Sequence, residues 1–161
     1  VTDEFGDAAP RLNDVVLTAA QARAYHGALL TEVVRMLCAG VVHGDLSEFN
    51  ILLAADGPVI IDLPQAIDAA GNNHAKRMLL RDVANLRAYF GRFAPELLHT
   101  HFGPEMWDLY QRGMLQPDSV LTGRFEHQKG LVDVGSVIRE IDDARAEEAA
   151  RRLRMQTLRP Q

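Results

Sequence analysis

The chain has 161 residues, 47% of them hydrophobic and 24% charged, an ordinary balance for one soluble globular domain with a real core. Its formal net charge of -5 gives no reason to expect nucleic acid as the main partner, because phosphate-backbone binding needs a basic face. Cys38 is the single cysteine, no apolar run approaches the ~20 residues that cross a bilayer, and nothing at the start resembles a signal peptide. These features exclude an internal disulfide and point to a cytoplasmic protein without membrane contact.

The opening Val1-Thr2-Asp3-Glu4 carries no initiator Met and reads as the start of a fragment or processed product. Residues 3–16 mix acids, Gly6, Pro10 and Asn13 and predict an irregular segment. Thr18 with Gln21 fits a capping box, and Leu29, Leu30, Val33, Val34 and Leu37 then recur at helical spacing, so a helix is expected up to about Gly40. Val41-Val42-His43, Ile51-Leu52-Leu53 and Val59-Ile60-Ile61 are short apolar runs. The last two are separated by Ala54-Ala55-Asp56-Gly57, whose Asp-Gly signals a hairpin. A hairpin there puts Asn50 and Asp62 at its outer end, close in space.

A second helix is expected over about His74 to Phe90, with Met78, Leu79, Val83, Leu86 and Tyr89 or Phe90 turned inward. Shorter helices are expected around Pro95 to His101 and Pro104 to Arg112. A last helix is expected from about Asp133, with a stripe of Val134, Val137, Ile138 and Ile141 and with Glu147–Arg151 and Glu148–Arg152 pairs on its exposed stretch.

Chemistry concentrates in His43-Gly44-Asp45-Leu46-Ser47-Glu48-Phe49-Asn50, followed by Asp62 in Ile60-Ile61-Asp62. An Asp, an Asn five residues on and a second Asp at the end of the next hairpin is the kinase pattern. Phosphoryl transfer needs a carboxylate to orient the attacking hydroxyl and take its proton, which suits Asp45. It also needs hard oxygen ligands for Mg²⁺, which suits Asn50 and Asp62. The bland alternatives are a turn carboxylate for Asp45 and strand-end caps for Asn50 and Asp62. His43 in such a motif is read as a packed structural residue, and His99 and His101 as surface residues, since no third ligand accompanies them.

These residues resemble the RIO-type atypical serine/threonine protein kinases. His43 to Asn50 resembles their catalytic loop, in which Ser-Glu-aromatic-Asn follows Asp-Leu. Ile60-Ile61-Asp62-Leu63-Pro64-Gln65 resembles their metal loop, and His74-Ala75 with Leu80-Arg81-Asp82 resembles the helix that follows. The likeness runs over about residues 1–102. It implies an α+β, mainly helical chain, the C-terminal lobe of a protein-kinase-like fold with a short β-hairpin at the metal site. On this reading residues 1–16 are a post-hinge linker, 17–102 the catalytic core and 103–161 a helical C-terminal extension, as in bacterial members.

The resemblance further implies Asp45 as catalytic, Asn50 and Asp62 as metal ligands, Ser47 at the terminal phosphate, and Leu52 and Ile61 as apolar surfaces around the adenine. The implied cofactors are ATP and Mg²⁺, with Mn²⁺ as an alternative metal. Asp62 doubles as a candidate phosphoryl acceptor in an ATPase-like cycle. Asp82 is a candidate to hold the catalytic-loop backbone. Gly44 stands where many kinases carry an Arg that reads a phosphate on the activation loop, and only about ten residues separate Asp62 from the next helix, so switching by such a phosphate is not expected. Ala94-Pro95-Glu96 is read as a helix start with Pro in its first turn rather than as the end of an activation segment.

A Gly-rich phosphate loop and a strand lysine are missing from these 161 residues: Lys76 and Lys129 are the only lysines, and both follow Asp62. An N-terminal lobe of about 80 to 130 residues is therefore expected in the intact protein. The lobe alone should bind ATP poorly and expose an apolar face through which it could form a homodimer. The protein substrate is not legible. Two rivals share these residues: a small-molecule phosphotransferase of the aminoglycoside or choline kinase type, disfavoured by Ser47-Glu48-Phe49 and Pro64-Gln65, and a non-catalytic pseudokinase or docking module.

Overall fold

The structure is a computed structural model that describes residues 2, 5–62, 67–69, 73–125 and 134–157, with backbone alone at 67–68, 134–140 and 156–157. The chain divides into two compact units, Val1–Phe125 and Glu126–Gln161.

The first unit is built on two long helices. Helix α1, Ala19–Cys38, begins at a complete capping box. The Gln21 N–H donates to Thr18 Oγ1 at 3.1 Å, and the Thr18 N–H donates back to Gln21 Oε1 at 3.0 Å, so two N–H groups without intrahelical partners are satisfied at once. Its buried face, Ala22, His26, Leu29, Leu30, Val33, Val34 and Leu37, repeats every three to four residues. Gly40 follows at φ 79°, a left-handed conformation that ends the helix and that glycine adopts without a Cβ penalty. Helix α2, Asn73–Phe90, buries Ala75, Leu79, Leu80, Val83, Leu86, Tyr89 and Phe90. Phe90, Leu29, Leu37, Leu79 and Leu86 are among the fully buried side chains, each contributing roughly 2–3 kcal/mol by leaving water.

Between the helices lie four short strands. Strand β1, Val41–Val42, pairs antiparallel with β4, Ile67–Asp68. Strands β2, Ile51–Ala54, and β3, Gly57–Ile60, form the expected hairpin, in register Ile51↔Ile60 and Ala54↔Gly57. The connecting loop is therefore Ala55-Asp56, with Gly57 already paired, rather than Asp56-Gly57. The segment before α1 is mostly irregular but well anchored. Leu12 is fully buried within a 3-10 turn, Leu12–Asp14, the Leu53 N–H donates to Pro10 O at 2.8 Å, and the Tyr89 hydroxyl donates to Leu12 O.

Beyond α2 the expected helix at 95–101 is a 3-10 turn, Pro95–His99, with Pro in its first turn. Helix α3, Phe102–Gln111, starts two residues earlier than expected, because Pro104 is tolerated in a first turn whose N–H groups have no intrahelical acceptor. Met106 and Trp107 bury its inner face in the same unit as α1 and α2. Glu105 then draws the chain back: its carboxylate accepts from the N–H groups of Thr122 and Gly123 and from the Thr122 hydroxyl.

The second unit contains helix α4, Val134–Thr157. The Glu148–Arg152 pair expected there is present at 3.2 Å, while Arg151 reaches Glu148 at 3.9 Å rather than Glu147. The side chains of Val134, Val137 and Ile138 and the proposed start at Asp133 lie outside what is described; Ile141 is buried. No helix among the described residues is long and apolar enough to cross a membrane.

Candidate functional site

The segment His43–Asn50 links β1 to the hairpin, and its shape is held from below by three neighbouring side chains of α2. Gly44 takes φ 88°, which a residue with a Cβ adopts only under strain, and this turns two backbone N–H groups toward α2. Asp82 receives both: its Oδ2 accepts from the Gly44 N–H at 2.8 Å and its Oδ1 from the Leu46 N–H at 2.9 Å. Arg81 donates to the Gly44 carbonyl, and Asn85 donates to the Leu46 carbonyl at 3.1 Å. Asp82 is 1% exposed, and burial pushes its carboxyl up from 3.8 to about 7. The two backbone N–H groups and Arg81 pull the other way, and neighbouring Asp45 adds to the rise.

Inside the loop, His43 is 2% exposed. Its Nδ1 accepts from the Asp45 N–H at 3.1 Å, which assigns the ring proton to Nε2, 3.3 Å from Ile61 O. The histidine thus ties the backbone of Asp45 to the residue before Asp62, consistent with a packed structural role. Asp45 itself is half-buried.

Ser47 caps the 3-10 turn Glu48–Asn50; its Oγ accepts from the Phe49 N–H at 3.3 Å and it is 2% exposed. Asn50 closes the loop on itself. Its Oδ1 accepts from the Ser47 N–H at 2.8 Å and its Nδ2 donates to Asp45 O at 2.5 Å. The amide oxygen has two lone pairs, so one remains to offer a cation.

Asn50 and Asp62 do come together as the hairpin predicts. Ile61 N–H donates to Asn50 O at 2.9 Å, one step beyond the Ile51↔Ile60 pair, and Asp62 is the next residue. Asp62 is exposed and is the non-glycine residue at positive φ, 61°, among those described. Asp is one of the few side chains that tolerate this region, and such a conformation is typical of residues held for a purpose other than packing. Leu52 pairs with Val59, so Leu52, Val59 and Ile61 share the hairpin face opposite Ile51 and Ile60. Leu52 and Ile61 are half-buried. Leu63, Pro64 and Gln65 lie outside the described residues.

The candidate donor set, the Asp62 carboxylate and the Asn50 amide oxygen, fits Mg²⁺ by type, with no His or Cys in it. Among the described residues no three His, Cys, Asp or Glu side chains gather as a metal site would require on its own, so a metal here would need further oxygen ligands from a phosphate or water. His99 is exposed, as expected of a surface residue, whereas His101 is half-buried.

Arg81 and Asn85 were not singled out from the sequence as loop-holding residues. The signal was there: 81, 82 and 85 form one polar face on a helix whose other inward positions are apolar.

Comparison with known proteins identifies a family. The profile of the RIO domain family matches residues 1–102. The RIO-type serine/threonine-protein kinase Rio2 of Methanocaldococcus jannaschii is 44% identical over 66 residues, covering 40% of this chain and 24% of that protein. The human serine/threonine-protein kinase RIO1 is 38% identical over 85 residues, 52% of this chain and 15% of the relative. The Rio1 kinase of Haloferax volcanii is 43% identical over 58 residues, 36% and 20%. The matched stretches span no more than about a quarter of these curated relatives. With the RIO domain matched over 1–102 and the loop–hairpin–helix arrangement of 43–90 in place, the chain belongs to the RIO-type kinase family.

Proposed function

We propose that the protein carrying this lobe transfers the terminal phosphoryl group of ATP to a protein serine or threonine, with Mg²⁺. The observation that supports this most is the convergence of Asp45, Asn50 and Asp62 on one loop and one hairpin end, held by hydrogen bonds to α2 and to His43. Asp45 is the group assigned to orient the acceptor hydroxyl and take its proton. Asn50 Oδ1 and the Asp62 carboxylate are the assigned metal ligands, and the metal supplies charge neutralisation at the phosphates. The Leu52 and Ile61 face is assigned to the adenine and Ser47 to the terminal phosphate. Ser47 keeps its hydroxyl hydrogen for that role, since its Oγ acts as the acceptor in the bond from Phe49. On this reading residues 1–16 are the post-hinge linker, 17–102 the catalytic core and 103–161 an extension, and the protein works in the cytoplasm.

One observation favours a second outcome at the same site. Asp62 is exposed at positive φ, so its carboxylate is accessible as a transient phosphoryl acceptor, which would give ATP hydrolysis without a labelled protein. The deciding experiment measures ATP turnover by the full-length protein with Mg²⁺, beside Asp45→Ala and Asp62→Ala. Protein labelling lost in both variants supports the kinase reading. Hydrolysis without labelling of serine or threonine, with an acid-stable but hydroxylamine-labile phosphoryl group on the protein that is lost in Asp62→Ala, supports the acceptor reading. Variants equal to wild type would exclude both.

A further inference from the structure

A cavity of about 350 Å³ opens between α1, the turn Pro95–His99, the start of α3 and the segment 117–121. None of the residues around it belongs to the loop 43–50 or to the hairpin, so it is separate from the site above. Its size falls within the range of small-molecule sites. The floor is apolar, with Leu30 and Val34 buried and Phe102 half-buried, while Arg23, Gly27 and Thr31 are exposed, one helical turn apart along one side.

Two features of that wall are unfavourable in themselves. His26, 2% exposed, lines it, and its Nε2 is buried with no hydrogen-bond partner among the described residues. Buried polar atoms are nearly always paired, and leaving one unpaired is destabilising. Gly27 sits inside a 20-residue helix, where glycine is unfavourable relative to alanine. Crowding does not account for it, because a Cβ placed there meets nothing within 4 Å. A long side chain at that exposed position would instead lie across the opening. Arg23 adds a cation at the rim, in an exposed ion pair with Glu96 at 2.7 Å, a kind of pair that is weak and readily exchanged for another anion.

We propose that this cavity binds a small anionic amphiphile, its apolar body seated on Leu30, Val34 and Phe102 and its carboxylate or similar anion paired with Arg23. The size of the cavity and the cation at its rim favour such a ligand over a segment of protein, and the site does not depend on the phosphotransferase reading.

The test is titration of the 161-residue chain with 2-naphthoate, followed by amide chemical shifts, beside the neutral 2-naphthamide. Saturable shifts are expected at Gly27, Thr31 and Ser119 and not at 44–50. The acid should bind more tightly than the amide, and Arg23→Gln, an exposed substitution, should bring the two level. Gly27→Met should weaken the acid by about tenfold or more, a loss set by blocking one small site. Absence of saturable binding, equal affinity of acid and amide in the wild type, or an unaffected Gly27→Met would overturn the proposal. So would shifts at these residues that grow with protein concentration alongside a dimer mass, which would identify a second copy as the occupant.

Discussion

Removing the carboxylate of Asp82 should change the pH dependence of stability as well as its size. Below pH 4 the group is protonated in the folded and the unfolded chain alike. Between 3.8 and about 7 the unfolded chain releases this proton while the folded chain keeps it. The unfolded state then binds fewer protons, so stability falls as pH rises through this window and levels off above it. The shift of about three units corresponds to roughly 4 kcal/mol. Against this stand two hydrogen bonds, from Gly44 and Leu46. Asp82→Ala leaves both N–H groups buried without an acceptor, at about 1–3 kcal/mol each. The alanine variant should therefore be several kcal/mol less stable than wild type at pH 5 and much closer to it at pH 8. Asp82→Asn keeps one acceptor, turns an N–H₂ toward the other donor and cannot titrate, so it supplies a flat reference. Urea denaturation of all three proteins from pH 4 to 8, followed by far-UV circular dichroism, measures this. A wild-type minus asparagine difference that is flat or rises with pH would mean that the two N–H groups and Arg81 stabilise the charged form at least as strongly as burial disfavours it.

His26 and Gly44 carry two further expectations. Burial lowers the His26 imidazole from 6.5 to about 4, so the unfolded chain takes up a proton first as pH falls, and stability present above pH 6.5 should be lost toward pH 4. The loss is roughly 3 kcal/mol and should be absent in His26→Phe; because it runs opposite to the Asp82 effect over the same window, only difference curves against the two variants separate them. Gly44→Ala places a Cβ at φ 88° and should cost about 1–2 kcal/mol in denaturation while displacing the Asp45 amide resonance, and an unchanged resonance would mean the loop does not need this conformation.

Much of the first unit was legible in the sequence wherever the signal is local. The capping box at Thr18 and Gln21 involves residues three apart, and the stripe from Leu29 to Leu37 states its own period, so α1 could be placed before any packing was known. The same holds for α2 and for the pairing of 51–54 with 57–60, which a two-residue turn enforces. The spacing of Asp45, Asn50 and Asp62 also sufficed to bring Asn50 and Asp62 to one hairpin end, since strand alternation and register follow from chain geometry.

What joins distant segments was decided only by the tertiary structure. Asp82 meets Gly44 and Leu46 across 38 and 36 residues, and Tyr89 reaches Leu12 across 77. These meetings depend on how α2 lies beneath the loop, which no single segment's periodicity specifies. The tight 3-10 form of Pro95–His99, the early start of α3 and the cavity beside His26 belong to the same class. Each results from elements competing for the same core, so the residues forming it were visible in the sequence while their juxtaposition was set by packing.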